Sequence, residues 1–118
     1  MRKYVVLKEQ FGEIKKLMIY DTGSGVYLFF YKSVCEDDES FADEWYENIN
    51  AAINAAKRYG VYDDEWKIID DPMDDCQHDI ISPIRVKGRG EGKPQWGKYE
   101  KLVNGVWVSI SKVTDDNC

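Results

Sequence analysis

Cys76-Gln77-His78 sets a thiol and the chain's only imidazole two residues apart, with Asp74, Asp75 and Asp79 beside them. A thiolate nucleophile with a histidine base is the chemistry such a pair could do, because the members need only be neighbours in space. The flanking carboxylates, however, disfavour a thiolate and so raise the thiol pKa. The pair is therefore read as a loop anchor, with His78 hydrogen-bonded to the backbone. A metal would want a second ligand pair at metal-site spacing, and Cys35 and Cys118 supply none. No metal or cofactor is expected.

Gly88-Arg89-Gly90-Glu91-Gly92-Lys93 is glycine-rich, as phosphate-cradling loops are. It lacks the Gly-Lys-Ser/Thr ending of a P-loop and does not join a strand to a helix. The wider segment 85–101 carries Arg85, Lys87, Arg89, Lys93, Lys98 and Lys101 against Glu91 and Glu100, with Trp96 and Tyr99 interleaved. That pattern could neutralise and stack a nucleic acid strand through Arg85, Lys87, Arg89, Lys93, Trp96 and Lys98. It stands as the second functional expectation.

Acidic residues cluster elsewhere. Residues 36–47 hold seven acids and no base, and residues 63–79 hold eight acids against Lys67 alone. Aromatic side chains sit among them. Asp37, Asp38, Glu39, Trp45, Tyr46, Tyr62, Asp63, Asp64, Glu65 and Trp66 form the candidate partner-binding set. Carboxylates beside aromatic anchors suit a basic protein surface, gripped by charged hydrogen bonds and approached under charge steering. The net charge of −6 argues the same way, because phosphate and anionic-membrane contacts need Lys and Arg.

Leu17-Met18-Ile19-Tyr20-Asp21-Thr22-Gly23-Ser24 resembles the active-site motif of aspartic proteases, an apolar strand followed by Asp-Thr-Gly-Ser. The resemblance covers eight residues. It implies a dimer in which Asp21 of each copy shares one proton, since two carboxylates at contact distance cannot both ionise. The family's later apolar pair followed by glycine is not found: Ile68-Ile69 is followed by Asp70-Asp71. Asp21 to Gly25 otherwise reads as a hairpin turn, with glycine supplying positive φ.

The elements that must carry these residues follow from periodicity and punctuation. Runs 4–7, 14–20 and 26–31 are apolar, β-branched and aromatic, and short turn clusters separate them, so they read as an antiparallel meander. A fourth strand falls in Phe41–Tyr46. The helix is then Asn48–Tyr59, capped by Asn48 at one end and by Gly60 at the other. Its apolar stripe is Ile49, Ala52, Ile53, Ala56 and Tyr59, and Asn50, Asn54 and Lys57 face solvent.

A strand at Trp66–Ile69 comes next, and then a long irregular passage, Asp70–Gly97. Within that passage Ile80–Val86 can pair only at an edge, because of Pro83. Asn104-Gly105 closes a hairpin that pairs Val103 with Val106, Lys101 with Val108 and Tyr99 with Ile110. The expected fold is α+β: about six mostly antiparallel strands in a ββββαβ order with a closing hairpin, covered on one face by the helix.

At 118 residues one domain is expected, over 1–112, with 113–118 as a frayed tail. No signal peptide or membrane-spanning run is read from the sequence. The odd count of cysteines reads as free thiols in a reducing cytosol, so a cytoplasmic protein is expected. Taken together, the expectation is a non-enzymatic inhibitor of a basic protein or enzyme, of the toxin-immunity or anti-defence type.

Overall fold

The computed structural model describes residues 1–62 and 64–110. Asp63 and the expected tail 113–118 lie outside the described residues. Over these residues the fold is α+β, with eight antiparallel strands in two sheets and one main helix. The expected class holds, but the strands divide five and three rather than forming one sheet of about six. The chain resolves into two compact units.

The first unit spans Met1–Val34 and Glu39–Asp71. Its strands are β1 (Arg2–Phe11), β2 (Ile14–Asp21), β3 (Val26–Tyr31), β4 (Ala42–Tyr46) and β5 (Lys67–Ile69). They lie side by side in the order β4-β3-β2-β1-β5, all antiparallel. Gly12, at φ 60°, makes the tight reversal between β1 and β2. The β2–β3 turn is built by side chains: Asp21 Oδ1 accepts from the Gly23 N–H at 2.9 Å. Thr22 Oγ1 accepts from the N–H groups of Ser24 and Gly25 at 3.2 and 3.1 Å. Asp-Thr-Gly-Ser is here an Asx-type turn closing a hairpin.

Helix α1 (Ile49–Ala56) starts where expected, since Asn48 accepts from the Ala51 N–H at 2.9 Å. A 3-10 turn, Lys57–Tyr59, ends it, and Gly60 stands at φ 83° as the left-handed cap. The side chains of α1 buried most deeply are Ala52, Ala55 and Ala56, with Ile49, Ile53 and Tyr59 packed half-buried around them. Small alanines let the helix backbone approach the sheet. They meet Val5, Leu7, Leu17, Ile19, Val26, Leu28 and Phe30, the inward-facing alternate residues of β1 to β3. Alternation along a strand sends every second residue to one face, so this core is the period-two pattern made solid.

The residues pointing the other way are not all solvated. Lys16, Met18, Phe29 and Tyr31 are buried as well. Lys16 has its ammonium 4.3 Å from the Tyr31 ring centroid, within cation–π range. Arg2 is buried with its Nε donating to the Asp70 carbonyl at 2.8 Å. Burial lowers the Arg2 pKa from its usual value, against the raising influence of Tyr31, Asp71, Tyr20 and Asp70.

The second unit comprises Cys35–Asp38 and the chain from Pro72 onward. Its strands, β6 (Ile84–Val86), β7 (Tyr99–Val103) and β8 (Val106–Ile110), form an antiparallel sheet in the order β6-β7-β8. The β7–β8 register is the one the Asn-Gly turn implies, with Val103 opposite Val106 and Tyr99 opposite Ile110. Both turn residues have positive φ, Asn104 at 50° and Gly105 at 80°, as a type I′ reversal requires. Strand β6 begins directly after Pro83 and takes an edge of the sheet. A proline with no N–H to give is tolerated there.

Candidate functional site

The two candidate surfaces belong to different units. On the first unit, β4 is an edge strand, hydrogen-bonded to β3 on one side only. Its sequence Ala-Asp-Glu-Trp-Tyr places one carboxylate and one aromatic on each face. Glu44 and Tyr46 lie opposite Leu28 and Val26, on the helix side. There the Tyr46 hydroxyl donates to Glu44 Oε1 at 2.7 Å, and Arg58 reaches the same oxygen at 3.9 Å. Burial and that hydrogen bond to Glu44 raise the Tyr46 pKa. This half of the strand is committed internally.

The other face of β4 is open. Trp45 is 54% exposed and lies opposite Tyr27, and Asp43 lies opposite Phe29. Tyr27 and Phe29 stack almost parallel, with ring centroids 5.5 Å apart. The indole of Trp45 is seated against Gly25, where a side-chain carbon would overlap the ring. Glycine at that position therefore leaves the space that the exposed tryptophan occupies. Asp43 and Glu47 are exposed on either side of it along the chain.

The rest of the partner-binding set is dispersed. Tyr62, Asp64, Glu65 and Trp66 lead into β5, at the opposite edge of the same sheet from β4. Four strand spacings separate the two edges, about 19 Å at ~4.8 Å each. Tyr62 is 68% exposed. Glu65 is engaged twice, with Lys8 at 2.8 Å and with the Tyr62 N–H at 2.6 Å. The Lys8 hydrogen bond, then the Tyr62 N–H, hold the Glu65 carboxyl below its ordinary range, and Lys8 is raised by the same contact. Trp66 packs half-buried against the core, with the Lys3 ammonium 5.4 Å from its ring centroid. Glu39 is exposed, and Asp37 and Asp38 belong to the second unit.

Asp37 is a structural residue. It accepts from Ser82 Oγ at 2.5 Å and from Lys101 Nζ at 2.8 and 3.0 Å. Desolvation pushes its pKa up, but the bonds from Lys101 and Ser82 outweigh it, and the net displacement is downward. The 35–38 segment is tied in by a further contact, the Ser82 N–H donating to the Glu36 carbonyl at 3.1 Å.

The basic–aromatic segment is a built loop. Gly88 stands at φ 78°, and a side-chain carbon there would collide with the Lys93 carbonyl. The N–H of Lys93 donates to Gly88 O at 3.0 Å, closing an inner ring that contains the 3-10 turn Arg89–Glu91. Outside it, Lys87 N–H donates to Lys98 O and Gln95 N–H to Lys87 O, both at 2.8 Å. Arg85 is spent at its base. Its Nε meets Glu100 Oε1 at 2.7 Å, and its guanidinium carbon lies 3.7 Å from the Trp107 ring centroid. Gly90 approaches that guanidinium so closely that a side-chain carbon would overlap it. Of the six residues in the second expectation, Lys87, Arg89, Lys93, Trp96 and Lys98 remain on the loop, with Trp96 74% exposed. Among the described residues none of these four cations has an ion pair.

Cys76 is buried and outside any disulfide, and the His78 side chain is exposed. The Cys76 N–H donates to Met73 O, while Cys76 bridges Arg85 and the Gln77 N–H donates to Ile84 O. This stretch is thus an added rung on β6. The expectation of free thiols fails for Cys35, which is disulfide-bonded. Spacing along a chain does not reveal which sulfurs meet in space.

One cleft escaped the sequence reading. About 410 Å³ is lined by Lys8, Glu9, Gln10, Phe11, Arg58, Tyr59 and Gly60. Phe11 and Tyr59 form its wall, edge to face at 4.9 Å. Its cations are engaged, Lys8 by Glu65 and Arg58 by the Ala55 carbonyl and Glu44. Among the described residues no cluster of metal-ligating side chains occurs, and no helix is long and apolar enough to cross a membrane. Comparison with known protein families, curated proteins and solved structures returns no match.

Proposed function

We propose that this protein is a non-enzymatic binding protein, and that it engages a basic protein partner through the open edge of β4. The observation that carries the reading is Trp45, more than half exposed with its indole packed against the bare backbone of Gly25. Asp43 shares its face, and Glu47 follows two residues on. A tryptophan pre-positioned on a sheet edge loses little side-chain entropy on binding, and tryptophan is the residue type most enriched among interface anchors. The edge itself offers unpaired backbone groups to an incoming strand. A strand bearing Lys or Arg at alternate positions would meet Asp43 and Trp45 on one face. The role suited to this is an inhibitor that covers a basic surface, as toxin-immunity or anti-defence proteins do.

The sequence expectation of a cytoplasmic setting sits uneasily with the Cys35 disulfide, which favours an oxidising compartment. The β4 site works in either. The test is affinity capture from extract of the source cells at low salt, with Asp43→Lys combined with Glu47→Lys, and separately with Trp45→Ala. Both variants should lose a basic protein that wild type retains. Equal capture by all three proteins removes the β4 edge as the site.

A further inference from the structure

We propose that the loop 87–98 of the second unit is a separate binding surface for single-stranded nucleic acid, independent of the β4 edge. Three observations converge on it. Its charge is one-sided: Lys87, Arg89, Lys93 and Lys98 stand against Glu91 alone. Among the described residues none of those four cations has an ion pair, whereas the neighbouring Arg85 and Lys101 are matched by Glu100 and Asp37. Trp96 is the most exposed tryptophan of the described residues, at 74%. Its place is set by the Gln95 N–H to Lys87 O bond before it and the Lys98 N–H to Gln95 O bond, 3.0 Å, after it.

The third observation decides among anions. The loop's N–H groups turn inward: Glu91 and Lys93 donate to Gly88 O, Gly92 to Arg89 O, Gln95 to Lys87 O. A loop that cradles a mononucleotide phosphate presents such groups outward. A bound acidic peptide would bring its own backbone donors and acceptors, and these peptide groups are not available to pair with them. What the loop does present is cationic side chains and one open indole face. A single strand needs those two things, phosphates neutralised by mobile cations and a base stacked on a ring.

The experiment is fluorescence anisotropy of a fluorescein-labelled thymidine 20-mer titrated with the full chain at 20 mM to 200 mM salt. Binding should weaken steeply with salt, log K against log salt falling with a slope near −3 if about four phosphates are neutralised at ~0.7 each. Trp96→Ala should weaken binding about tenfold with little change in slope. Arg89→Gln with Lys93→Gln should flatten the slope by about 1.4, two phosphates at ~0.7 each. Circular dichroism melts of each variant should overlay wild type, since all three side chains are exposed. The proposal is overturned by absence of binding at 20 mM salt or by a Trp96→Ala protein that binds as wild type. It is equally overturned if a fluorescein-labelled polyglutamate peptide binds as tightly and by the same residues, because the loop is then a docking point for acidic protein segments.

Discussion

The two units reach order by different physical routes. The five-stranded unit is ordered by apolar burial: Leu17, Ile19, Leu28 and Ala52 have no exposed surface at all. The three-stranded unit buries fewer apolar side chains, Ile80, Ile84 and Val86 among them, and has Val103, Val106 and Val108 substantially exposed on its sheet. It relies visibly on polar fastening, through Asp37 with Ser82 and Lys101, Arg85 with Glu100 and Trp107, and the inward-turned amides of the 88–98 loop. A core of alternating strand residues tolerates little loss of volume, whereas a polar framework depends on a few particular atoms. The same difference separates their surfaces. The first unit presents an anchor on a rigid strand edge, and the second presents one on a loop.

The largest effect should come from the apolar core. Leu28→Ala removes a fully buried side chain between the helix and β2 and should cost about 2–5 kcal/mol, read by urea denaturation. Val108→Ala, on the exposed sheet of the second unit, should stay within about 1 kcal/mol. Equal costs would show that both sheets depend on apolar burial alike.

Next in size is a glycine comparison. Gly88 and Gly12 both have positive φ, at 78° and 60°, but only Gly88 has an atom in the space a side chain would take. Gly12→Ala should cost about 1 kcal/mol, the price of the left-handed conformation alone. Gly88→Ala adds a collision with the Lys93 carbonyl, so the loop must open. Amide exchange at Lys93 and Gln95 should accelerate well beyond the change in global stability. Slow exchange at both positions in the variant would show that the ring is held by something other than Gly88.

Much of the secondary structure was legible in the sequence because its signals are local. Strand alternation, Asn48 as helix cap, Gly60 as terminator and the Asn104-Gly105 hairpin register each depend on a few adjacent residues. Asn48→Ala should accordingly cost about 1 kcal/mol, checked by urea denaturation. The expected stripe of Ile49, Ala52, Ile53, Ala56 and Tyr59 contains two of the three side chains that α1 buries, Ala52 and Ala56, and lacks Ala55. An alanine beside a periodic apolar pattern carries too weak a signal to be assigned to its buried side. The division into two sheets was not legible at all, since it depends on which strands pair at long range.

The candidate site was less legible still. Fifteen carboxylates drew attention by clustering along the chain, but clustering does not say which of them already have partners. Asp37 lies 64 residues from Lys101, and nothing local announces that pair. Trp45 stands out in the sequence only by its acidic neighbours. The residue its indole packs against, Gly25, comes from a turn twenty residues earlier, and nothing local links the two.

The smallest predicted effect tests that hidden pair. Asp37 has its pKa depressed in the folded protein by the Lys101 and Ser82 hydrogen bonds, which outweigh the opposing desolvation. A depressed carboxylate binds its proton less readily when folded than when unfolded. Its stabilisation is therefore complete above the unfolded value of ~3.9 and is lost as pH falls through the folded value. Because the Asp37 side chain is about half exposed, solvent screening should keep the pair to about 0.5 kcal/mol. Wild type and Asp37→Asn should thus differ in urea midpoint at pH 6 and converge by about pH 2. Lys101→Met should reproduce most of the pH 6 loss, and the double variant should add little to either single change. A full additive loss in the double variant would mean that Asp37 and Lys101 act separately. The polar fastening assigned to the second unit would then rest on Ser82 rather than on charge.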